Sequence, residues 1–198
     1  LLGLRIEEVP TTLDKDGRSR PPHLLPWRDG WRHLRFMLLF SPRWLFLYPG
    51  LFLALAGLVL GLLVLPGPLM LTETIGLDVQ TLLFAFAAVH LGMQMISFGL
   101  CARVYALRAG LLPASPRLEK LAKKFSLELG LVAGALLVLL GFGGAIVNVA
   151  NWSSTGFGQL DARATLRAAI PAASALGLGA QIVMTSFLLS ILNMRWRR

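Results

Sequence analysis

Four uncharged apolar stretches, each at least 22 residues long, dominate the hydrophobic pattern of this chain. They cover residues 44–65, 79–102, 129–150 and 168–194. A helix needs about 20 apolar residues to cross a bilayer's hydrocarbon core, and lipid offers backbone N–H and C=O groups no partner. The pattern therefore predicts an all-α membrane protein with four transmembrane helices. A soluble bundle is disfavoured because soluble helices of this length keep a polar face.

The basic residues predict the orientation of these spans. Of the 19 lysines and arginines, eight precede the first span, six lie between spans two and three, and three close the chain. Only Arg163 and Arg167 fall elsewhere. By the positive-inside rule, we expect a multi-pass protein of the inner (cytoplasmic) membrane with both termini in the cytoplasm.

The net charge of +9 borders the membrane segments, which predicts attraction to anionic membrane lipids. It does not form a free basic domain, so no nucleic-acid partner is expected. The pattern leaves a homo-oligomer open.

The first 25 residues have the pattern of the end of another folded unit. Leu4 and Ile6 alternate with polar neighbours and the run stops at Pro10, which predicts a short strand over 2–10. One strand needs a sheet that this sequence does not contain. Because the chain also begins with Leu1, we expect a fragment whose N-terminal domain lies upstream.

A loop over 11–25 carries chemistry that suits phosphate. Arg18, Ser19 and Arg20 place two guanidinium groups and a hydroxyl beside the flexible Gly17. Arginine is a planar, permanently charged, bidentate donor. The loop is therefore a candidate phosphate site, with ordinary basic charge beside a membrane as the alternative.

Residues 26–42 predict an amphipathic helix. Trp27 and Trp31 recur at helical spacing, and Arg32 and Arg35 belong to a second stripe beside them. Such a helix lies at the membrane interface, with tryptophans at headgroup depth and arginines toward phosphates and water. We expect Arg32 and Arg35 to help hold a lipid phosphate, or to serve only as an anchor.

A second amphipathic helix is predicted over 116–126, in the loop between spans two and three. Lys120, Lys123 and Lys124 share its polar face. It should lie flat on the inner leaflet and contact anionic lipid.

Small residues follow one face of span one and one face of span three, at Gly50, Ala54, Gly57, Gly61 and at Gly130, Gly134, Gly141, Gly144. They predict close helix packing.

Span two instead carries a polar stripe of His90, Gln94, Ser97 and Cys101. We expect it to face the bundle and to form an interhelical hydrogen bond, for instance with Gln181 or Asn148, although a ligand site stays the alternative. No cluster of nucleophile, base and acid and no metal-ligand set is readable, so we assign neither a catalytic residue nor a metal site.

The segments 8–13 (EVPTTL), 16–24 (DGRSRPPHL), 27–36 (WRDGWRHLRF) and 41–50 (SPRWLFLYPG) carry a resemblance. They resemble the C-terminal part of prokaryotic family 2 glycosyltransferases related to dolichol-phosphate mannose and glucose synthases. Beyond about residue 50 the agreement is the four-span hydropathy alone.

The resemblance implies that residues 1–25 end a cytoplasmic GT-A domain and form its acceptor loop. Gly17, Ser19 and Arg20 loosely match the family's phosphate-holding element, with Arg where Lys is usual. It also implies that the GT-A domain, with its nucleotide sugar and its divalent cation (Mg²⁺ or Mn²⁺), lies outside this sequence. Residues 26–42 would then be the interfacial helix and 43–198 the four-span domain.

The sequence thus predicts the membrane-anchoring and acceptor-binding part of an enzyme that transfers a sugar to polyprenyl (dolichyl or undecaprenyl) phosphate. This piece should not catalyse by itself. The alternatives are a small four-span flippase or accessory subunit for lipid-linked sugars, and a plain anchor.

Overall fold

The computed structural model describes residues 7–12, 25–41, 43–110 and 127–194, without the side chains of residues 36 and 38–40. This part is mostly helical. Its helices are α1 (Pro26–Phe40), α2 (Tyr48–Val64), α3 (Val79–Arg108), α4 (Leu127–Ser154) and α5 (Ala162–Asn193). A π-helical turn, Arg43–Leu47, leads into α2, and the strands β1 (Leu69–Met70) and β2 (Gly76–Leu77) pair antiparallel.

Four segments are long and apolar enough to cross a bilayer: the π turn with α2, and then α3, α4 and α5. The predicted all-α membrane fold with four spans is confirmed, and the protein is a multi-pass membrane protein. Some of these helices are longer than the apolar stretches of the sequence. At about 1.5 Å per residue, α5 with its 32 residues is about 48 Å long, so it extends beyond a hydrocarbon core of about 30 Å.

The four spans stand in a row. α2 packs on α3, α3 on α5, and α5 on α4, and no comparable contact joins α2 to α4 within the described residues. The outer two pairs are antiparallel hairpins, whereas the central helices α3 and α5 run parallel. We call the end with Arg43, Arg108 and Asn193 the basic end, and the opposite end, with the 65–78 and 155–161 connections, the loop end.

Small residues bring α2 and α3 into close contact. A Cβ built on Gly57 would lie 2.5 Å from the carbonyl oxygen of Ala85, and one on Gly50 would lie 2.8 Å from that of Gly92. Because lipid tails are as apolar as side chains, this close approach is how membrane helices associate. The packing prediction for span one is confirmed.

The second hairpin uses the same contacts. A Cβ on Gly141 would lie 2.7 Å from the Ala172 carbonyl oxygen, and one on Gly134 would lie 2.8 Å from that of Gly179. The packing prediction for span three is likewise confirmed.

The two hairpins are structural repeats. Gly134 and Gly141 follow Gly50 and Gly57 by 84 residues, and the α5 positions 172 and 179 follow the α3 positions 85 and 92 by 87. With the order α2–α3–α5–α4, these matches relate the hairpins by an approximate two-fold axis between α3 and α5, along the helices. Repeats arranged about an axis along the membrane normal are known among membrane proteins.

The loop end holds the most enclosed apolar contacts. Val64 and Leu82 are fully buried and pack with Val79 and Ile170, so α2, α3 and α5 meet there. The β1–β2 hairpin lies beside them, with Leu69 and Leu77 against the cluster. The sequence did not predict these strands.

Other expectations fall partly outside the described residues. Residues 7–12 form neither helix nor strand, so the predicted opening strand is absent in its described part. The rest of that strand, the 116–126 helix and the tail 195–198 lie outside the described residues.

Candidate functional site

A helix, α1, lies where an interfacial helix is predicted, and the contacts at its N-terminus explain where it starts. Pro26 takes the first helical position, where its missing N–H costs nothing. The Leu25 N–H donates to Asp29 Oδ2 at 2.9 Å, and the Asp29 N–H donates to the Leu25 carbonyl at 2.9 Å. The carboxylate thus satisfies a donor at the positive end of the helix.

The tryptophans of α1 are open to the surroundings. Trp27 is 93% exposed and Trp31 is 62% exposed. Their side chains are free to insert at headgroup depth, as the sequence predicts for an interfacial helix.

The two predicted phosphate ligands on α1 differ in their surroundings. Arg32 Nη1 lies 3.7 Å from Asp29 Oδ1, and Arg28 Nε lies 4.0 Å from the same oxygen. Exposed pairs of this kind are weak, so Arg32 is shared with Asp29 but not locked to it. Arg35 is exposed and forms no ion pair within the described part of the chain.

The remaining predicted site residues cannot be placed. Arg18, Ser19 and Arg20 of the acceptor-type loop lie outside the described residues, and so do Lys120, Lys123 and Lys124. Their roles stay predictions.

The polar stripe of α3 faces α5. The Gln181 amide donates to Gln94 Oε1 at 2.8 Å, which confirms the predicted interhelical bond. A Cβ on Gly177 would lie 2.7 Å from His90 Cε1, so the imidazole sits where α5 has no side chain. Ser97 is buried, and its hydroxyl has no hydrogen-bond partner among the described residues.

The other suggested partner of the stripe was wrong. The Asn148 amide donates to the Gly144 carbonyl of its own helix at 2.9 Å. An asparagine side chain can bond to a backbone carbonyl of the preceding turn, so this amide finds its partner within its own helix.

Arg167, which the sequence analysis did not assign to a site, connects α5 to the ends of α2 and α3 at the loop end. The Arg167 side chain is 17% exposed and forms an ion pair with Asp78. Its Nη1 donates to the carbonyl of Val64 at 2.6 Å and to that of Leu65 at 3.3 Å. The last carbonyls of α2 lack helical partners and form its negative end, so a buried cation is well placed there. The available signal was an arginine at the start of a span.

Three arginines of the described residues lie at the basic end. Arg108 caps α5 by donating to the carbonyl of Asn193 at 3.0 Å and to its side-chain oxygen. Arg103 is half-buried, and its Nε is enclosed without a partner among the described residues. Arg43 is exposed at the start of the π turn. The sequence analysis assigned none of them to a site.

No three His, Cys, Asp or Glu side chains come together as metal ligands in the part of the chain that the structure describes. The described arrangement offers donors for an anion at the basic end and a polar seam between α3 and α5.

Comparison with known proteins finds a family model that matches the C-terminal part of the chain. Residues 100–193 match the glycosyltransferase family 2 C-terminal transmembrane region. The match falls where the sequence analysis found agreement in hydropathy alone. No solved structure matches the chain significantly.

A curated relative extends the similarity over almost the whole chain. The chain is 29% identical over 192 residues to the low-salt glycan biosynthesis hexosyltransferase Agl6 of Haloferax volcanii, covering 96% of this chain and 44% of that protein. The chain thus spans less than half the length of this relative. Together with the family match, this likens the chain to the membrane part of family 2 glycosyltransferases.

Proposed function

We propose that this chain is the acceptor-binding membrane part of a glycosyltransferase that moves a sugar from a nucleotide sugar to polyprenyl phosphate. The observation that carries the proposal is the match of residues 100–193 to the family 2 transmembrane region. The name of the relative, a hexosyltransferase of glycan biosynthesis, supports a hexose as the transferred sugar.

The physical argument concerns the acceptor. A polyprenyl phosphate has a charged head at headgroup height and an isoprenoid tail in the hydrocarbon layer. A protein that presents it to a soluble donor needs cations at the membrane surface and apolar helix faces below them. The arginines of α1 and of the basic end supply the cations. Large side chains exposed on the spans, such as Phe52 and Leu139, supply the apolar faces.

The orientation follows from charge. We place the basic end on the cytoplasmic side of the inner membrane, because lysine and arginine concentrate in cytoplasmic loops. Both termini then lie on that side.

The same argument assigns a role to each segment of the chain. Residues 1–25 would end a cytoplasmic GT-A domain and carry the acceptor loop with Arg18, Ser19 and Arg20. Residues 26–42 would be the interfacial helix, with Arg32 and Arg35 toward lipid phosphate. The nucleotide sugar and a divalent cation, Mg²⁺ or Mn²⁺, would bind to the GT-A domain.

Lipid binding to the purified chain tests the proposal. In phosphatidylcholine nanodiscs, the chain should bind undecaprenyl phosphate in preference to undecaprenol, because only the phosphate pairs with arginine. It should transfer no sugar by itself. Equal binding of phosphate and alcohol would mean that the chain is only an anchor, and the acceptor role would be abandoned.

A further inference from the structure

A buried guanidinium atom at the basic end has no hydrogen-bond partner among the described residues. Arg103 Nε is enclosed and makes no hydrogen bond within the described residues. Neither Arg103 nor Arg43 forms an ion pair with a carboxylate in that part of the chain. A buried donor on a permanently charged group is costly when it stays unpaired, so such an atom calls for a ligand.

Arg103 and Arg43 lie at the same level of the first hairpin. The rings of Phe46 and Phe98 are 4.7 Å apart in an edge contact, which fixes the register there. Arg43 lies three residues beyond Phe46, and Arg103 lies five residues beyond Phe98, both toward the basic end. At about 1.5 Å per residue the two positions differ in height by only about 3 Å.

The face of α3 that carries Arg103 is the one packed on the first span. Gly92, Gly99 and Arg103 follow at spacings of seven and four residues, so they share a helix face. Gly92 contacts α2 closely, since a Cβ there would lie 2.5 Å from the Gly50 carbonyl oxygen. Arg103 therefore lies on the face of α3 that packs on the first span, and the π turn that begins at Arg43 packs on the same helix.

The second hairpin shows that these charges are not needed for packing. By the repeat offsets of 84 and 87 residues, the equivalents of Arg43 and Arg103 are Leu127 and Ser190, both uncharged. The two hairpins otherwise share their close contacts. Two guanidinium groups have thus been placed at one end of one repeat, where they would repel each other without an anion.

We infer that Arg43 and Arg103 form a binding site for the phosphate monoester head of the lipid acceptor, at the joint between α1 and the first span. The inference rests on the proposed function and adds two residues from the membrane domain to it. Arg103 donates from its enclosed Nε, and Arg43 supplies a second guanidinium from the exposed side. The site lies where α1 leaves the spans, so the bound phosphate is held beside the interfacial helix.

Binding measurements on the whole chain in phosphatidylcholine nanodiscs test this site, with undecaprenyl phosphate, phosphatidylglycerol and inorganic phosphate as separate probes. Arg103→Gln should raise the Kd for undecaprenyl phosphate by about tenfold or more, since it removes charge-assisted hydrogen bonds. Arg43→Gln should raise it less. Arg103→Lys keeps the charge but loses the forked donor geometry of the guanidinium group. Its Kd should lie between those of the wild type and Arg103→Gln.

The matched control is Arg163→Gln at the loop end, where the side chain is 81% exposed. It removes the same charge and should leave the Kd unchanged within about twofold. Circular dichroism checks that each variant keeps its helices, and if Arg103→Gln does not fold, Arg43→Gln carries the comparison.

The outcomes separate the site from the proposed function. If the wild-type chain does not bind undecaprenyl phosphate, the proposed function itself fails. If it binds but Arg103→Gln, Arg43→Gln and Arg163→Gln behave alike, only this site is refuted. An equal loss for phosphatidylglycerol would refute the acceptor in favour of an ordinary anionic lipid, and tight competition by inorganic phosphate would refute a lipid ligand.

Discussion

Gln94 and Gln181 occupy equivalent positions of two repeated hairpins, 87 residues apart, and the amide of Gln181 donates to the side-chain oxygen of Gln94 at 2.8 Å. His90 and Gly177 are a second pair with the same separation. Contacts between equivalent positions are what a two-fold axis produces. The seam between α3 and α5 therefore joins two copies of one packing unit.

The first prediction concerns this glutamine bond. In a double-mutant cycle of Gln94→Leu and Gln181→Leu, we expect a coupling free energy of about 0.6 kcal/mol, and no more than about 1.7 kcal/mol, as for other polar contacts between membrane helices. Unfolding in mixed micelles measures the free energies. If the free-energy changes of the two single variants add up to that of the double variant, the bond does not stabilise the seam.

The close approach of the first hairpin gives the second prediction. Gly57→Ala should destabilise the fold by about 1–3 kcal/mol, because the added Cβ would lie 2.5 Å from the Ala85 carbonyl oxygen. Gly143→Ala is the matched control, since a Cβ there meets nothing within 4 Å. Its unfolding free energy should not fall, because alanine is the better helix former. Equal effects of the two variants would contradict the packing.

The third prediction concerns the loop end. Arg167→Ala should lower the unfolding free energy by about 3 kcal/mol, because it leaves the last carbonyls of α2 without their cation and Asp78 with only the exposed Arg163 as a partner. Arg163→Ala is the control. Its ion pair with Asp78 spans 3.7 Å and its side chain is 81% exposed, so the loss should stay below about 1 kcal/mol. A larger loss of stability for Arg163→Ala than for Arg167→Ala would contradict the assignment of Arg167 as the main cation of this cluster.

Orientation gives the fourth prediction. In a Cys101→Ala background, Arg163→Cys should react with an impermeant thiol reagent added outside intact cells, whereas Arg43→Cys should react only after the membrane is opened. The charge distribution predicts this pattern. External labelling of Arg43→Cys in intact cells would show that the topology is the reverse of the one proposed. The basic end would then face away from a cytoplasmic sugar donor.

Much of the fold was readable in the sequence because lipid imposes strict rules. Uncharged stretches of this length must be helices, and a polar side chain such as Gln94 must find a partner, which made its bond to Gln181 predictable. The seven-residue spacing of Gly50 and Gly57 recurs at Gly134 and Gly141, so even the repeat left a visible signal.

Other features could not be derived from the sequence because they depend on which ends meet in space. Arg167 reads as an exception to the charge rule, yet it closes the end of a helix about 100 residues earlier, through Val64. Nothing in the local sequence distinguishes Arg103, whose Nε has no partner in the described part of the chain, from Arg108, which caps α5. Only the packing of the helices shows which of the two donors is satisfied within the described residues.

Sugar transfer in membranes tests the central claim most directly. Membranes from cells that express the complete reading frame encoding this chain should convert a radiolabelled nucleotide sugar into a labelled lipid, and added undecaprenyl phosphate should increase the product. The same frame without residues 43–198 should lose this dependence. A labelled lipid whose amount does not respond to undecaprenyl phosphate, or undiminished transfer without residues 43–198, would contradict an acceptor role for this chain.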